Sequence, residues 1–360
     1  MRFKSMLSIM ADKKATHLFI TAGRAPTIKV NGQMLELEPV VLTAEQASAI
    51  IFGIINLQQK EELKNTKECQ FALGIQGLGR FRVSVFTQRD ALGMVLRRVE
   101  YQLPDADLLN LPSLLKTLVM ERSGLVFFVG EPNSGKSSTL AALIEHRNLY
   151  STGHIITIED PIEFQYAHAG CIITQREVGI DTESYEMALK NILHQAPDVI
   201  FIGEIKNQTM LLEALNFAAT GRLCISTLYA SNVHQALERM IHFVPQERRS
   251  QLLLDLSINL RAIVAQKLIV RSESHDRYPA FELLLNTPDV KQYLLKGDID
   301  SLRELMRNSS EQNMQEMQTF DHALYELYID GKISYDDAVN AADAKNELRL
   351  MIKRHAEQQK

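Results

Sequence analysis

Gly130-Glu131-Pro132-Asn133-Ser134-Gly135-Lys136-Ser137 decides the reading of this chain. It spells G-x-x-x-x-G-K-S, a phosphate-binding loop. Leu125-Val126-Phe127-Phe128-Val129 before it is a short apolar run that suits a buried parallel strand. Ser138 to Arg147 after it has helical composition. The motif therefore stands in the strand-loop-helix context its chemistry needs. Glycines let backbone N–H groups turn onto phosphate oxygens, and the new helix points its positive end at the same anion. Lys136 is placed to reach the β- and γ-phosphates, and the Ser137 hydroxyl to bind Mg²⁺. Ser138 continues the anion-facing turn.

Outward from that loop, the bulk composition is ordinary. The chain has 360 residues, 46% hydrophobic and 23% charged, enough for about two domains with ample core. A net charge of −5 argues against a nucleic-acid-binding surface. Cys69, Cys171 and Cys224 form no CxxC pair, which fits a reducing compartment and gives no zinc site. The ten histidines lack ligand spacing. No apolar run approaches the ~20 residues of a membrane span. Met1 to Leu7 is basic but too broken for a signal peptide, so the expected location is cytoplasmic.

Residues 1–100 read as a separate α+β domain. Thr27-Ile28-Lys29-Val30 alternates and meets the hairpin signal Asn31-Gly32. Thr43 with Gln46 forms a capping box opening a helix that carries Ala47, Ile50, Ile51, Ile54 and Ile55. Arg80 to Val85 alternates as a strand with Arg80 and Arg82 on one side, where a solvated face is the ordinary expectation. Met94 to Val99 is a further strand. Residues 101–112, from Tyr101 to Pro112, read as a linker.

From Ser113 strands alternate with helices, the pattern of a parallel sheet. His154 to Ile158, Asp198 to Glu204 and Leu223 to Thr227 are strands. Residues 184–195 form a helix whose Tyr185, Ala188, Leu189, Ile192 and Leu193 read as core. Met210 to Ala219 is a helix that Gly221 closes. Arg248 to Lys267 reads as one long helix, with Leu253, Leu256, Leu260, Ile263 and Val264 inward. From Pro279 the chain reads as mostly helical, with Ser334 and Asp337 as a second capping box.

Hydrolysis also needs Mg²⁺ positioning and a base for water. The apolar strand ending in Gly203-Glu204 suits the strand whose tip lies beside the phosphate loop, with Glu204 holding Mg²⁺. Glu159, Asp160 and Glu163 cluster at another strand end, and one of them is the candidate base. Their mutual repulsion calls for Mg²⁺ or arginines nearby.

These features together resemble a family. Gly130–Ser137, Thr157-Ile158-Glu159-Asp160-Pro161-Ile162-Glu163-Phe164, Gln175-Arg176-Glu177-Val178 and Gly203-Glu204 resemble the secretion and type IV pilus motor ATPases, and within them the PilT/PilU retraction ATPases. Ala25 to Gly32, Arg80-Phe81-Arg82-Val83 and Asn286-Thr287-Pro288 extend the likeness over nearly the whole chain. The departures favour the PilU branch. Thr227-Leu228-Tyr229-Ala230 stands where PilT-like proteins carry Thr-Leu-His-Thr, and Gly203 to Asn207 and Glu131-Pro132-Asn133 also depart. The end of the chain, Met317 to Asp321 and Asn346 to Leu350, is PilU-like too.

The resemblance implies an α/β fold with an N-terminal PAS-like α+β domain (1–100) and a linker (101–112). A RecA-like phosphate-loop core (113–278) with a parallel sheet and a C-terminal helical region (279–360) follow. It implies ATP and Mg²⁺ as ligands, Glu163 as catalytic base with Glu159 second, and Glu204 as Walker B acid. Arg82, Arg97 and Arg239 are implied to reach nucleotide or a neighbouring subunit. A homohexamer, a PilT-type motor partner, an inner-membrane platform protein and no nucleic acid are the implied associations. Tyr229 occupies a histidine position, and tyrosine does not become a cation near neutral pH. That substitution keeps alive an alternative, an accessory subunit that binds nucleotide and hydrolyses little. A pilus-extension or secretion-assembly ATPase is a second alternative, disfavoured by the absence of a four-cysteine metal site. A nucleic-acid translocase is disfavoured by the acidic charge.

Overall fold

A computed structural model describes residues 3–30, 32–75, 77–99, 103–271, 276–311 and 317–358. Met1, Arg2, Asn31 and Tyr101, used in the sequence reading, fall outside the described residues. The chain forms two compact units.

The first unit takes in residues up to 102 together with Pro161–Gln165 and Glu177–Glu183. Its elements are α1 (Phe3–Asp12), β1 (His17–Thr21), β2 (Thr27–Val30), β3 (Gln33–Glu36), α2 (Ala44–Phe52), α3 (Leu57–Thr66), β4 (Glu68–Ile75), β5 (Gly79–Gln88) and β6 (Ala91–Arg98). The strands form one sheet, ordered β3-β2-β1-β6-β5-β4, with antiparallel neighbours. Val30 pairs with Gln33, so β2 and β3 join through the two-residue hairpin expected there, with Gly32 at φ 83°. The capping box of α2 forms as read: Thr43 and Gln46 exchange side-chain and backbone hydrogen bonds. The helix ends at Phe52, so Ile54 and Ile55 lie beyond it. Alternation along β5 buries Phe81, Val83 and Val85 in the same apolar cluster that holds Met6, Leu7 and Met10 of α1. Each such side chain taken from water contributes roughly 1.5–3 kcal/mol.

The second unit holds Leu103–Asp160, Tyr166–Arg176 and Ser184–Lys360. Its elements are α4 (Ser113–Met120), β7 (Gly124–Val129), α5 (Lys136–Tyr150), β8 (Gly153–Glu159), β9 (Cys171–Glu177), α6 (Tyr185–Ile192), β10 (Val199–Ile202), α7 (Gln208–Ala219), β11 (Leu223–Leu228), α8 (Val233–Phe243), α9 (Arg249–Asn259), β12 (Leu260–Val270) and β13 (Arg277–Leu285). Five helices follow: α10 (Pro288–Lys296), α11 (Ile299–Glu311), α12 (Phe320–Ile329), α13 (Tyr335–Ala341) and α14 (Lys345–Gln358). The sheet order is β13-β12-β7-β11-β10-β8-β9. β8, β10, β11, β7 and β12 run parallel, and β13 is antiparallel to β12.

The structure departs from the sequence reading at two places. The long helix over 248–267 stops at Asn259, and Leu260–Val270 is a strand between β7 and β13. The stretch from Pro279 is mostly helical as read, in α10 to α14, but opens within the strand β13. The cause is the same in both. Leu260 to Ala265 is buried on nearly every residue, so no period of two survives to distinguish it from a buried helix.

The topology sets the place of the site. From β7 the chain goes to β8, three places away, then steps back through β10 to β11. From β11 it crosses β7 to reach β12. The connections after β7 and β11 therefore run in opposite directions along the sheet, and ligands of open α/β sheets bind where the direction reverses, outside the carboxyl ends of the strands.

Candidate active site

β7 is buried along its whole length, with Phe127 and Phe128 inaccessible to solvent, so its carboxyl end is held rigidly. The loop that leaves it is shaped by close approach. A Cβ on Gly130 would stand 2.5 Å from Ser134 Oγ and 2.6 Å from the Gln266 carbonyl oxygen. Gly135 has φ 89°, and a Cβ there would stand 2.8 Å from Gln266 Nε2. Asn133 also sits in the left-handed region, at φ 65°. Lys136 Nζ donates to the carbonyls of Gly130 (2.7 Å) and Glu131 (2.8 Å) and lies 3.3 Å from Ser134 Oγ. The loop thus curls around its own lysine. Gly135 caps α5 without a side-chain hydrogen bond, so the first-turn N–H groups have no side-chain acceptor at the N-cap. Ser137 is exposed and Ser138 half-buried in that turn, as are Glu131, Pro132 and Asn133 exposed in the loop.

Gln266 of β12 forms the floor of this loop and is only 2% exposed. Its Oε1 is buried without a hydrogen-bond partner among the described residues. The sequence reading put Gln266 inside a helix and so missed it. A glycine cradle that a Cβ would fill, an uncapped helix start and a lysine at its centre fit a nucleotide phosphate.

Because β7, β8, β10 and β11 are parallel, their carboxyl ends share one edge of the sheet. That edge receives the phosphate loop after β7, Glu159 at the end of β8, Glu204 after β10 and Tyr229 after β11. The Glu204 strand reaches this edge without pairing with the phosphate-loop strand: β11 stands between β7 and β10. The hydroxyls at the end of β11 tie it to β10. Ser226 Oγ donates to the Ile202 carbonyl (2.7 Å) and Thr227 Oγ1 to that of Gly203.

The acids are compensated by neighbours the sequence reading did not foresee. Glu159 is buried, and its Oε1 accepts from Thr157 Oγ1 (2.6 Å) and from Gln175 Nε2 (3.2 Å). Asp160 pairs with Lys206 at 3.2 Å. Tyr185, read as plain core, has its hydroxyl among Glu159, Asp160 and Glu204. Burial first, then these charges, push its pKa up, so it stays a neutral phenol.

Arg239 of α8 is held by aromatic rings. Its guanidinium carbon lies 5.6 Å from the Tyr229 ring centre and 5.7 Å from that of Phe243. Its Nε is buried without a hydrogen-bond partner among the described residues.

The first unit contributes its own charged site. Register places Lys29, His17, Arg97 and Arg82 side by side across β2, β1, β6 and β5. Four basic groups in one cross-strand row repel one another, a cost that marks the row for anions. Burial, and then Arg97 and Lys29, push the His17 pKa down. A pocket of about 320 Å³ opens on the row, lined by His17, Arg82, Arg97 and Arg98 together with Glu163 and Phe164. Glu163, Arg82 and Arg97 are thus brought together within this unit, while Lys136, Glu159, Glu204 and Arg239 belong to the other.

The expected solvated face at Arg80 and Arg82 is corrected as well. Glu177 is 1% exposed and lies 3.9 Å from both guanidinium groups. Arg80 also pairs with Asp181 at 3.3 Å, and Arg82 Nη2 donates to Gln70 Oε1 at 3.0 Å. Burial pushes the Glu177 pKa up, and the two arginines oppose that shift. No local spacing relates residue 177 to residues 80 and 82; only the fold does.

The chain matches the family described as Type II/IV secretion system protein over residues 4–353. It is 50% identical to the type IV pilus ATPase PilU of Pseudomonas aeruginosa over 353 residues, covering 98% of this chain and 92% of that protein. It is 30% identical to the retraction ATPase PilT of the same organism, covering 94% of this chain and 97% of that one. The crystal structure of the pilus retraction motor PilT with bound ADP superposes with a TM-score of 0.88, at 30% identity and 97% coverage of this chain. The ATPase DotB of Legionella pneumophila, at 24% identity and a TM-score of 0.80, shares the fold. Family match, sequence identity and fold agree across nearly the whole chain, and the chain belongs to the type II/IV secretion family and, within it, to the PilT/PilU type IV pilus ATPases.

Proposed function

We propose that this protein works as a homohexameric ATPase that drives type IV pilus retraction, and with it twitching motility, at the cytoplasmic face of the inner membrane. The reading divides the chain into a PAS-like domain (1–100), a linker (101–112), a RecA-like core (113–278) and a C-terminal region (279–360). The observation that carries it is the curled phosphate loop around Lys136 at the same sheet edge as Glu159 and Glu204. The identities to PilU and PilT support the pilus assignment.

In this reading the backbone N–H groups of the loop from Gly130 to Ser138, Pro132 excepted, and the Lys136 ammonium hold the phosphates. The Ser137 hydroxyl and the Glu204 carboxylate are oxygen ligands of the kind Mg²⁺ takes, directly or through water. Mg²⁺ supplies neutralisation of the charge on the β- and γ-oxygens. Glu163 takes the proton of the attacking water, with Glu159 as the second choice. Arg82, Arg97 and Arg239 offset charge that develops on the transferred phosphoryl group. The associations are a PilT-type motor and the inner-membrane platform protein, with no nucleic acid.

Steady-state Mg²⁺-ATP hydrolysis by the purified chain tests this, against Lys136→Ala. A loss of at least about 100-fold in kcat/KM is expected from removing a positioned charge on the phosphates. Equal turnover in both proteins would sink the assignment. One feature favours a second reading, an accessory subunit: Tyr229, 43% exposed after β11, stands where the resemblance implies a histidine, and tyrosine does not become a cation near neutral pH. Turnover that emerges only when a PilT-type partner is added would select it.

A further inference from the structure

Gln266 of β12 meets the phosphate loop at both ends. Its carbonyl oxygen would stand 2.6 Å from a Cβ on Gly130, and its Nε2 2.8 Å from a Cβ on Gly135. Both glycines are shaped to this one residue. Gln266 is 2% exposed, and its side-chain amide makes no hydrogen bond among the described residues, whichever way the amide is turned. A buried amide without partners destabilises a fold, and an apolar side chain of the same length carries no such cost. A group of this kind calls for a physical reason. Lys136 supplies one. Its ammonium has three N–H groups and an acceptor for each: the carbonyls of Gly130 (2.7 Å) and Glu131 (2.8 Å) and Ser134 Oγ (3.3 Å). To reach the β- and γ-phosphates it must release these acceptors. The Glu131 carbonyl keeps the Ser134 N–H at 3.2 Å. The Gly130 carbonyl belongs to a buried residue and needs a new donor.

We propose that Gln266 is a positioning residue of the phosphate loop: its side-chain amide donates to the Gly130 carbonyl when Lys136 leaves that carbonyl for phosphate. The inference rests on the phosphate loop as the nucleotide site. Gln266 touches no substrate and acts through the loop backbone. While Lys136 holds the Gly130 carbonyl, the glutamine amide is unmatched and the fold is weaker for it. Once the lysine leaves, the same amide satisfies a buried acceptor. A residue that weakens one arrangement of the loop and strengthens the other shifts the balance between them by the difference, here toward the arrangement that holds phosphate. Methionine would fill the same space on β12, so packing alone does not call for an amide.

The test uses the full chain, Gln266→Met and, as a second variant, Gln266→Leu. The thermal midpoint is measured in nucleotide-free buffer, and the Kd is measured for a fluorescent, non-hydrolysable ATP analogue. In Gln266→Met the midpoint should rise by about 2–4 °C, because an unmatched buried amide is removed. The Kd should weaken about fivefold, the order set by one lost hydrogen bond. A merely structural glutamine would not move the two readings in opposite directions. Lys136→Ala then reverses the first sign. It frees the Gly130 carbonyl without any nucleotide, so adding Gln266→Met to it should lower the midpoint by a similar amount. A midpoint that falls or stays unchanged in Gln266→Met overturns the inference. So does an unchanged Kd, the same sign in both backgrounds, or failure of both variants to fold. If wild type does not bind the analogue, the nucleotide-site reading fails. If it binds and the signs do not reverse, only the role of Gln266 fails.

Discussion

Arg239 stacks over Tyr229, with the guanidinium carbon 5.6 Å from the ring centre, and no carboxylate partner holds it among the described contacts. An arginine held by aromatic faces keeps its charge uncompensated and its fork directed. A carboxylate partner would cancel that charge before any phosphate arrived. Tyr229 is 43% exposed, so the clamp stands at the surface. Tyr229→Ala should lower kcat by about threefold to tenfold, the equivalent of one cation–π contact of roughly 1 kcal/mol. Tyr229→Phe, which keeps the ring face, should stay within about twofold. Steady-state kinetics on the three proteins checks this, and equal loss in Ala and Phe would shift the role to the hydroxyl.

Glu163 and Glu159 are separated by their surroundings. Glu163 is half-buried in a pocket with Arg82 and Arg97, whereas Glu159 is committed to Thr157 and Gln175. Glu163→Gln should keep nucleotide bound and lower the single-turnover rate by at least about 100-fold, the usual contribution of a general base. Glu159→Gln retains an acceptor for Thr157 and should cost about tenfold or less. The reverse order of effects would move the base to Glu159.

Glu177 holds two arginines from a nearly dry position. Its carboxylate is 1% exposed, while the Arg80 and Arg82 side chains keep 25% and 26% of their surface in solvent. Glu177→Gln should therefore cost less than the breaking of a fully buried pair, about 1–2 kcal/mol. A fall of a few degrees in the thermal midpoint is expected, together with weaker retention of Arg82 in its present position. An unchanged midpoint would show that the remaining contacts, Asp181 and Gln70, are sufficient.

Glu282 supplies a pH signature. It faces a cavity of about 950 Å³ among α8, α11, α12 and α14, and its Oε2 accepts the Val233 N–H at 2.7 Å. Burial raises its pKa from 4.5 to about 7, with Asp343 adding to the shift and the Val233 bond, Lys267 and Arg303 opposing it. A carboxyl whose pKa is raised by folding stabilises the native state while protonated in it. That stability is fully present below pH 4.5 and is lost as pH rises through about 7. The window is worth up to about 3 kcal/mol. Glu282→Gln keeps an acceptor for Val233 and should flatten the fall of the thermal midpoint between pH 5 and pH 7. The same slope in wild type and variant would assign the dependence to other groups.

The elements legible in the sequence are those whose causes lie within a few residues. The phosphate loop needs glycines and a lysine at fixed spacing. The capping boxes at Thr43–Gln46 and Ser334–Asp337 need partners three apart, and both form. The strand–helix alternation that leads to a parallel sheet repeats every few tens of residues. Where burial is two-sided the pattern disappears, which is why Leu260 to Lys267 reads as helix and folds as strand.

The site was legible only in part for the same reason. Gly130 to Ser138, Glu159, Glu163 and Glu204 stand in local motifs. Gln266 beneath the phosphate loop, Tyr185 beside Gly203 and Glu177 on Arg82 have no local signal, because each contact joins segments far apart in the chain. The sequence by itself determined the nucleotide chemistry and the class of fold, since both follow from side-chain type and short-range spacing. Tertiary structure decided which strand lies beside which, and therefore that β11 stands between Lys136 and Glu204. It also set the register that lines up Lys29, His17, Arg97 and Arg82. Strand order and register are set by the fit of whole buried faces against one another, a property no single stretch of the chain contains.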